Sequence, residues 1–370
     1  MLPYFLLLYI SGVFPLLVYQ PVGTASGDDN GELVEKRNKM TIFLFFFCFF
    51  VLLALRDITV GKDLYTYKSI FESCFVTSFE NLSNMQWELG YAVYNKIISM
   101  LSADYRLFLI VTSVITLVPI YKLYSQEKRY GFLSIVLFIN MPCFLLIFSG
   151  LRQAIAVSIG ILVYMAVANK KYVFSVLLIL FGVCFHMSAF VLILIYPAFF
   201  LKVKTKHLLY IIPIMLGVYL LRVPIFLFLL NFMPSRYIEF YGEVQHTGAF
   251  GMMVLCLIFF VFSFVISDEA SMSERDYFMR NVLLIATVFQ FFVPIHGLIQ
   301  RMSYYFLIFV PISILSVIQV PKRYLKNVSN FAIVVMGCFF TLYFFYNAAF
   351  STDNLLDVFP YKFYWSGQGW

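Results

Sequence analysis

Arginines, carboxylates and tyrosines gather in a few short stretches of this 370-residue chain. The run Arg56-Asp57-Ile58-Thr59-Val60-Gly61-Lys62-Asp63 leads to Tyr65 and Tyr67, and Trp87-Glu88-Leu89-Gly90-Tyr91 follows. An arginine at the end of an apolar run, a glycine turn, two carboxylates and several phenols suit a charged, hydroxyl-rich ligand. A solvated loop with local salt bridges accounts for the same spacing. Ser149-Gly150-Leu151-Arg152-Gln153 is the second candidate. With Ser149 as N-cap, free amides and a first-turn arginine make a natural anion site, although ordinary capping and snorkelling use the same residues. His186 stands alone between two apolar runs, and Pro294-Ile295-His296-Gly297-Leu298-Ile299-Gln300-Arg301 breaks another just before Tyr304 and Tyr305. Arg236-Tyr237 and Tyr241 are candidates to join that last group.

The elements that must carry these residues are membrane-spanning helices. Hydrophobic residues make up 62% of the chain, aromatics 20% and charged residues 12%. A soluble chain carries about 25% charged residues. The apolar runs are continuous rather than alternating, which disfavours a β-barrel, so helices that satisfy their own backbone are the expected spanning elements. Leu2 to Gln20 has no basic leader and reads as a first span. A hydrocarbon core of about 30 Å takes roughly 17 to 25 helical residues. Spans are expected near 2–20, 40–55, 105–123, 131–148, 151–168, 172–185, 187–201, 207–222, 251–266, 280–296, 302–320 and 329–346, twelve in all, within one transmembrane domain over 1–370. Segments 90–102 and 224–233 are short and read as interfacial or half-helices. The runs on either side of His186 hold 14 and 15 residues, so each reaches about 21–22 Å and should leave His186 below the membrane surface. An ionisable group at that depth is a functional candidate, and a histidine bonded within a helix interface is the competing reading.

Basic residues in alternate loops set the orientation. One side holds 16 of the 26 lysines and arginines, the loop residues Arg275 and Arg280 among them, and is taken as cytoplasmic, with both termini outside. Cytoplasmic lysines outnumber arginines 11 to 5, whereas outside the ratio is 4 to 6. Orientation does not depend on which cation is used. Phosphate recognition does, because guanidinium donates a planar bidentate fork. The long loops near 56–104 and 223–250 fall on the same outer side, and elaborated loops usually carry function. The net charge of +7 reflects cytoplasmic loops and points to no nucleic acid. The six cysteines are scattered singly, no His/Cys/carboxylate spacing suggests a metal or other cofactor, and no nucleotide-binding motif is present.

The run Arg56…Val60-Gly61…Asp63…Tyr67, then Glu88…Gly90-Tyr91, Ser149-Gly150…Arg152-Gln153, His186…Ser188 and Arg301 resembles the EpsG-like branch of Wzy-type polysaccharide polymerases. The likeness covers roughly positions 50–310, and the Pro360-Tyr361 end is similar as well. It implies a glycosyltransferase of O-antigen, capsule or exopolysaccharide synthesis in the bacterial plasma (inner) membrane. Such an enzyme joins undecaprenyl-diphosphate-linked repeat units, donor to acceptor, with a chain-length regulator and a flippase as further partners. Under that resemblance Arg56, Arg152, Arg301 and Arg236 are the diphosphate ligands, stabilising the leaving group without a metal. Asp63, Glu88 and His186 are the candidate bases for the acceptor hydroxyl, and Tyr67, Gln153 and Tyr304 the glycan contacts. Two rivals stand beside it. One is an O-antigen ligase or another lipid-linked-sugar glycosyltransferase. The other is a secondary transporter of a lipid-linked or anionic solute, although no inverted repeat is visible and the charges gather on one face.

Reporter fusions after Lys128, Lys204 and Lys322 are expected to report cytoplasm, and fusions after Lys68, Gln245 and Trp370 the outer side. A cytoplasmic signal from the Trp370 fusion would overturn the twelve-span count.

Overall fold

The computed structural model describes residues 2–19, 27–231, 250–350 and 355–366, all helix and connecting segments without a β-strand among those residues. Among the described residues, four helices are long and apolar enough to cross a membrane: Gly31–Ala54, Tyr105–Tyr124, Leu151–Ala168 and Arg323–Phe350. Three bent pairs raise the number to as many as seven, and four further apolar helices are shorter. Helix occupies every one of the twelve segments expected from hydropathy.

Contacts divide the chain into two compact units. The first comprises 1–190 and 334–370. It contains α1 (Leu2–Val18), α2 (Gly27–Ala54), α3 (Leu64–Val76), α4 (Leu89–Leu101), α5 (Tyr105–Tyr124), α6 (Gly131–Ile139), α7 (Pro142–Ser149), α8 (Leu151–Ala168) and α9 (Tyr172–Phe185). Helix α8 is central, packed on α5, α7 and α9, and 78% of its apolar window is buried. The same figure is 22% for Arg323–Phe350, whose exposed apolar surface is what a lipid-facing helix requires. Helices α6 and α7 meet at 65°. Asn140 sits at the break and donates to the Val136 carbonyl at 2.8 Å and to Phe340 at 3.0 Å, while Pro142 opens α7. The expected span 131–148 is therefore a broken one, and a side-chain amide supplies hydrogen bonds where the helical ladder stops.

The second unit, 191–333, contains α10 (Ile195–Phe200), α11 (Leu208–Leu220), α12 (Arg222–Leu230), α13 (Gly251–Ile266), α14 (Glu274–Phe292), α15 (Gly297–Leu307) and α16 (Val310–Ile318). The last helix, α17 (Lys326–Phe350), begins here and ends in the first unit. Helix α14 is the hub, touching α10, α11, α12, α13, α15 and α16. It starts six residues before the apolar window 280–296, because a capping box opens it: the Asp276 carboxylate accepts from the Ser273 amide at 2.9 Å. Charged residues in the first turns hide that start from hydropathy. One of them, Arg280, is 0% exposed, paired with Glu269 at 2.9 Å and donating to the Ser263 and Val203 carbonyls at 3.2 Å. Counted from the sequence as a loop charge, it is an internal strut instead.

The segment after His186 also departs from expectation. Met187–Leu194 is 3-10 helix before α10 begins, and its steeper rise gives that arm a reach of about 25 Å.

In the first unit the segment 355–366 is stitched to the loop that follows α2. The Gly61 and Lys62 amides donate to the carbonyls of Asp357 (3.1 Å) and Leu356 (2.9 Å), and the Asp57 amide donates to Lys362 (2.9 Å). Leu356 and Asp357 both adopt left-handed backbone (φ 58° and 57°), a cost borne where hydrogen bonds fix the conformation. Gly61 has φ +122°, and a Cβ there would lie 2.5 Å from the Phe148 carbonyl oxygen. Gly61→Ala should therefore destabilise the protein by about 1–3 kcal/mol from backbone strain alone, read as a lower Tm in detergent. Gly31→Ala, where nothing lies within 4 Å, should leave Tm unchanged or raised. Equal Tm values for the two variants would contradict this account of the loop.

Candidate functional site

Arg152 and Glu88 lie 64 residues apart in sequence and form an ion pair, with side chains 18% and 19% exposed. Arg152 occupies the first turn of α8, placed there by the break between α7 and α8. The N-cap is Gly150, not Ser149 as the sequence suggested. Ser149 is the last residue of α7, and its hydroxyl accepts from the Lys62 amide at 3.1 Å while donating to the Leu356 carbonyl at 2.9 Å. The break between the helices is thus joined to the loop after α2 and to the C-terminal segment through one side-chain oxygen.

Glu88 is the N-cap residue of α4, yet its carboxylate makes no cap hydrogen bond. It turns instead to Arg152 and accepts the Met187 amide at 3.4 Å. Gly90 permits this approach: a Cβ on it would come within 2.7 Å of Cys184, so α4 and α9 touch closely at that point. The Arg152 guanidinium lies 4.7 Å from the Trp87 ring centroid and 5.8 Å from that of Tyr91, a cation–π arrangement. Tyr67 on α3 interacts with Arg152 as well. Burial pushes its phenol up from the ordinary value, and the guanidinium pulls it part of the way back.

His186 follows α9 immediately. Its Nδ1 lies 2.6 Å from the Ser188 hydroxyl and accepts the Ser188 amide at 3.3 Å. That acceptor role puts the ring proton on Nε2 when the imidazole is neutral. The residue between them, Met187, donates its amide to Glu88, so the histidine and the ion pair share one short stretch of backbone. Gln153 is buried on α8 beside Arg152 in sequence, and Asp63 is an exposed residue at the N-cap of α3, close enough to Tyr67 to influence its titration.

Arg56 is 1% exposed and lies 5.6 Å from the Phe148 ring centroid; its Nε and Nη1 have no hydrogen-bond partner among the described residues. Burial pushes its guanidinium down to about 10, offset by the nearby phenols of Tyr105, Tyr361 and Tyr4. It therefore stays charged at neutral pH while enclosed by protein.

Arg301 and Tyr304 belong to the second unit, on α15, with Arg301 exposed and Tyr304 buried. That helix is capped by His296, whose Nδ1 accepts the Leu298 amide at 3.0 Å and whose ring stacks on Phe226 with centroids 5.4 Å apart. Arg236 lies outside the described residues. Among the described residues, His, Cys, Asp and Glu nowhere gather in a group of three able to hold a metal ion.

Sequence reading assigned Arg152 and Glu88 to separate tasks; their pairing was beyond it. The signal available was only that each stands two residues from a glycine at the start of an apolar helix. Trp87 and Ser188 stand in stretches the sequence singles out, but nothing in their spacing shows that Trp87 covers the Arg152 guanidinium or that Ser188 holds His186.

No curated protein and no solved structure matches this chain. The sequence model described as the EpsG family matches residues 39–363, a stretch that includes every candidate residue named above. The chain belongs to the EpsG family, a family associated with Wzy-like polysaccharide polymerases, and is a membrane protein of polysaccharide biosynthesis.

Proposed function

We propose that this chain is a glycosyltransferase that polymerises undecaprenyl-diphosphate-linked oligosaccharide repeat units at the outer face of the bacterial plasma (inner) membrane. The reading takes twelve crossings with both termini outside, and a chain-length regulator and a flippase as partners. The observation that carries it is the half-buried Arg152–Glu88 pair under Trp87 and Tyr67, in a chain of this family. A guanidinium there can grip a phosphate through its planar fork, and Glu88 holds that charge in place until a stronger anion arrives.

The donor's diphosphate takes over Arg152. Glu88, released from the guanidinium, accepts the proton of an acceptor hydroxyl. The acceptor oxygen forms a bond to the donor's anomeric carbon as the bond from that carbon to the diphosphate oxygen breaks. Undecaprenyl diphosphate leaves with the bonding electron pair, and the proton stays on the carboxyl group until it exchanges with water. Negative charge grows on the leaving diphosphate during this step, where a fixed cation contributes most. The transfer is metal-independent in this reading. His186, its Nδ1 held by Ser188, lies one residue from the amide that bonds Glu88 and orients that end of the site. Tyr67 and Gln153 line the glycan side. Asp63 is the alternative base, more exposed than Glu88, and Arg56 adds a fixed positive field from behind the loop.

Arg152→Lys keeps the charge and loses the fork. It should lower polymer synthesis roughly several hundred-fold, the cost of about 3–4 kcal/mol for a contact that strengthens in the transition state, with membrane abundance unchanged. Arg301→Lys tests the assignment of that arginine by the same criterion. Arg222→Lys is the control, because Arg222 donates to the Tyr219 carbonyl one turn back at 2.8 Å and lies over that residue's own ring. Full polymer yield from Arg152→Lys in cells would remove the diphosphate clamp.

Glu88→Gln retains a hydrogen-bonding side chain and cannot take a proton. It should cut turnover about 10²–10⁴-fold while the protein still binds lipid-linked repeat units, which accumulate in the membrane. Turnover within threefold of wild type would transfer the role of base to Asp63.

A further inference from the structure

The segment that closes the first unit ends in a cluster of rings with an unusual arrangement. Phe363 and Trp365 are stacked in parallel, with centroids 4.5 Å apart and planes 8° from coincident. Tyr364 meets the Trp365 ring edge-on at 4.8 Å. Trp365 is nonetheless 59% exposed. Since Phe363 covers one face of the indole, the exposed area is the opposite face and its rim.

That face is held in a fixed direction. Phe363 bridges to the backbone of Arg56 and packs edge-on against Tyr361 at 4.9 Å. The Tyr364 amide donates to Leu55 at 3.0 Å, and the Arg106 guanidinium sits 3.6 Å from the Tyr364 ring centroid. The Ser366 amide closes the turn onto the Phe363 carbonyl at 3.0 Å. A tryptophan that serves as an interfacial anchor needs only the right depth. An indole presented flat and preoriented is instead suited to binding a flat partner, because little rotamer freedom is lost when that partner arrives. The face is apolar and negative in its quadrupole. The axial C–H face of a pyranose ring is its complement: weakly positive hydrogens against the ring, with the hydroxyl groups left in water. An isoprenoid chain is flexible and has no use for a flat, fixed surface.

We propose that Trp365, backed by Phe363, is a stacking subsite for a sugar ring of the glycan. It rests on the polysaccharide reading above, but Trp365 lies past the stretch 39–363 that matches the family. The same segment is bonded to Gly61, Lys62 and Ser149, next to the break that places Arg152.

The test is binding without turnover. Full-length protein in nanodiscs, with Trp87→Phe and Trp370→Phe so that Trp365 is the remaining indole, is titrated with lipid-free oligosaccharides of two to four repeat units released from the host polysaccharide. A saturable change in Trp365 emission is expected, with magnetisation transfer to pyranose C–H protons by NMR. On the otherwise wild-type chain, Trp365→Leu should weaken binding roughly tenfold, on the scale of losing one ring-on-ring stack, and Trp365→Phe by no more than about threefold. Equal binding by wild type and Trp365→Leu would overturn the subsite and leave the polysaccharide reading standing. Absence of glycan binding to either protein would overturn the subsite too, and polymer synthesis by Arg152→Lys would then decide the broader reading separately. An emission change produced by anionic lipid and not by oligosaccharide would identify Trp365 as a head-group anchor and overturn the proposal.

Discussion

Three parts of the chain far apart in sequence meet at the hydroxyl of Ser149. It accepts the Lys62 amide and donates to the Leu356 carbonyl at the end of α7. Backbone groups in an apolar surrounding must find partners within the protein, and the Ser149 hydroxyl supplies them to the loop after α2 and to the C-terminal segment, with Gly61 fitting where a side chain would strike Phe148. The consequence reaches the site directly. Because the break is fixed, the first turn of α8 is fixed, and Arg152 emerges beside Glu88, Trp87 and Tyr67.

An ion pair in this position has a specific electrostatic logic. Removing two charges from water is costly, and a half-buried pair recovers that cost only when both partners are well placed. A diphosphate that replaces Glu88 on Arg152 exchanges one anion for another and so avoids exposing an unpaired guanidinium. In the proposed reaction the same exchange frees the Glu88 carboxylate to take the acceptor's proton, so donor binding and release of the base run through one side chain. The neighbouring Met187 amide, which also bonds Glu88, keeps the carboxylate close to where it was.

The class of the protein and the positions of its apolar helices were legible in the sequence because continuous hydrophobicity is a local property. The failures were also physical. Charges in the first turns of α14 suppressed its hydropathy, so its start was placed six residues late. The break at Asn140 was read as continuous span, since a helix interruption filled by a side-chain amide and a proline leaves the apolar count unchanged. At Ser149 the residue type was right and the role wrong: a serine before a glycine reads as a cap, and only the fold reveals that its oxygen serves two other segments. The pairing of Glu88 with Arg152 depends on tertiary contact across 64 residues, which no spacing rule carries.

The excess of arginine over lysine on one side of the sequence led to the idea of phosphate recognition, and the structure supplies a second cause for the same bias. Arg56 lies over Phe148, Arg106 over Tyr364, Arg152 over Trp87 and Arg222 over Tyr219. A planar guanidinium stacks on a ring where an ammonium does so less well, and in a chain with 20% aromatic residues that preference alone favours arginine. Arg280 shows that the preference is not tied to orientation, for it lies over Phe264 although the sequence placed it among the cytoplasmic charges. Residue type therefore cannot separate a phosphate ligand from a stacked strut. The separation comes from what faces the guanidinium away from the ring. Arg222 meets a carbonyl at the end of the preceding helix, α11, and Arg56 is sealed by protein. Arg152 has a carboxylate there, partly open to solvent, and a carboxylate is the protein group that an incoming phosphate can displace.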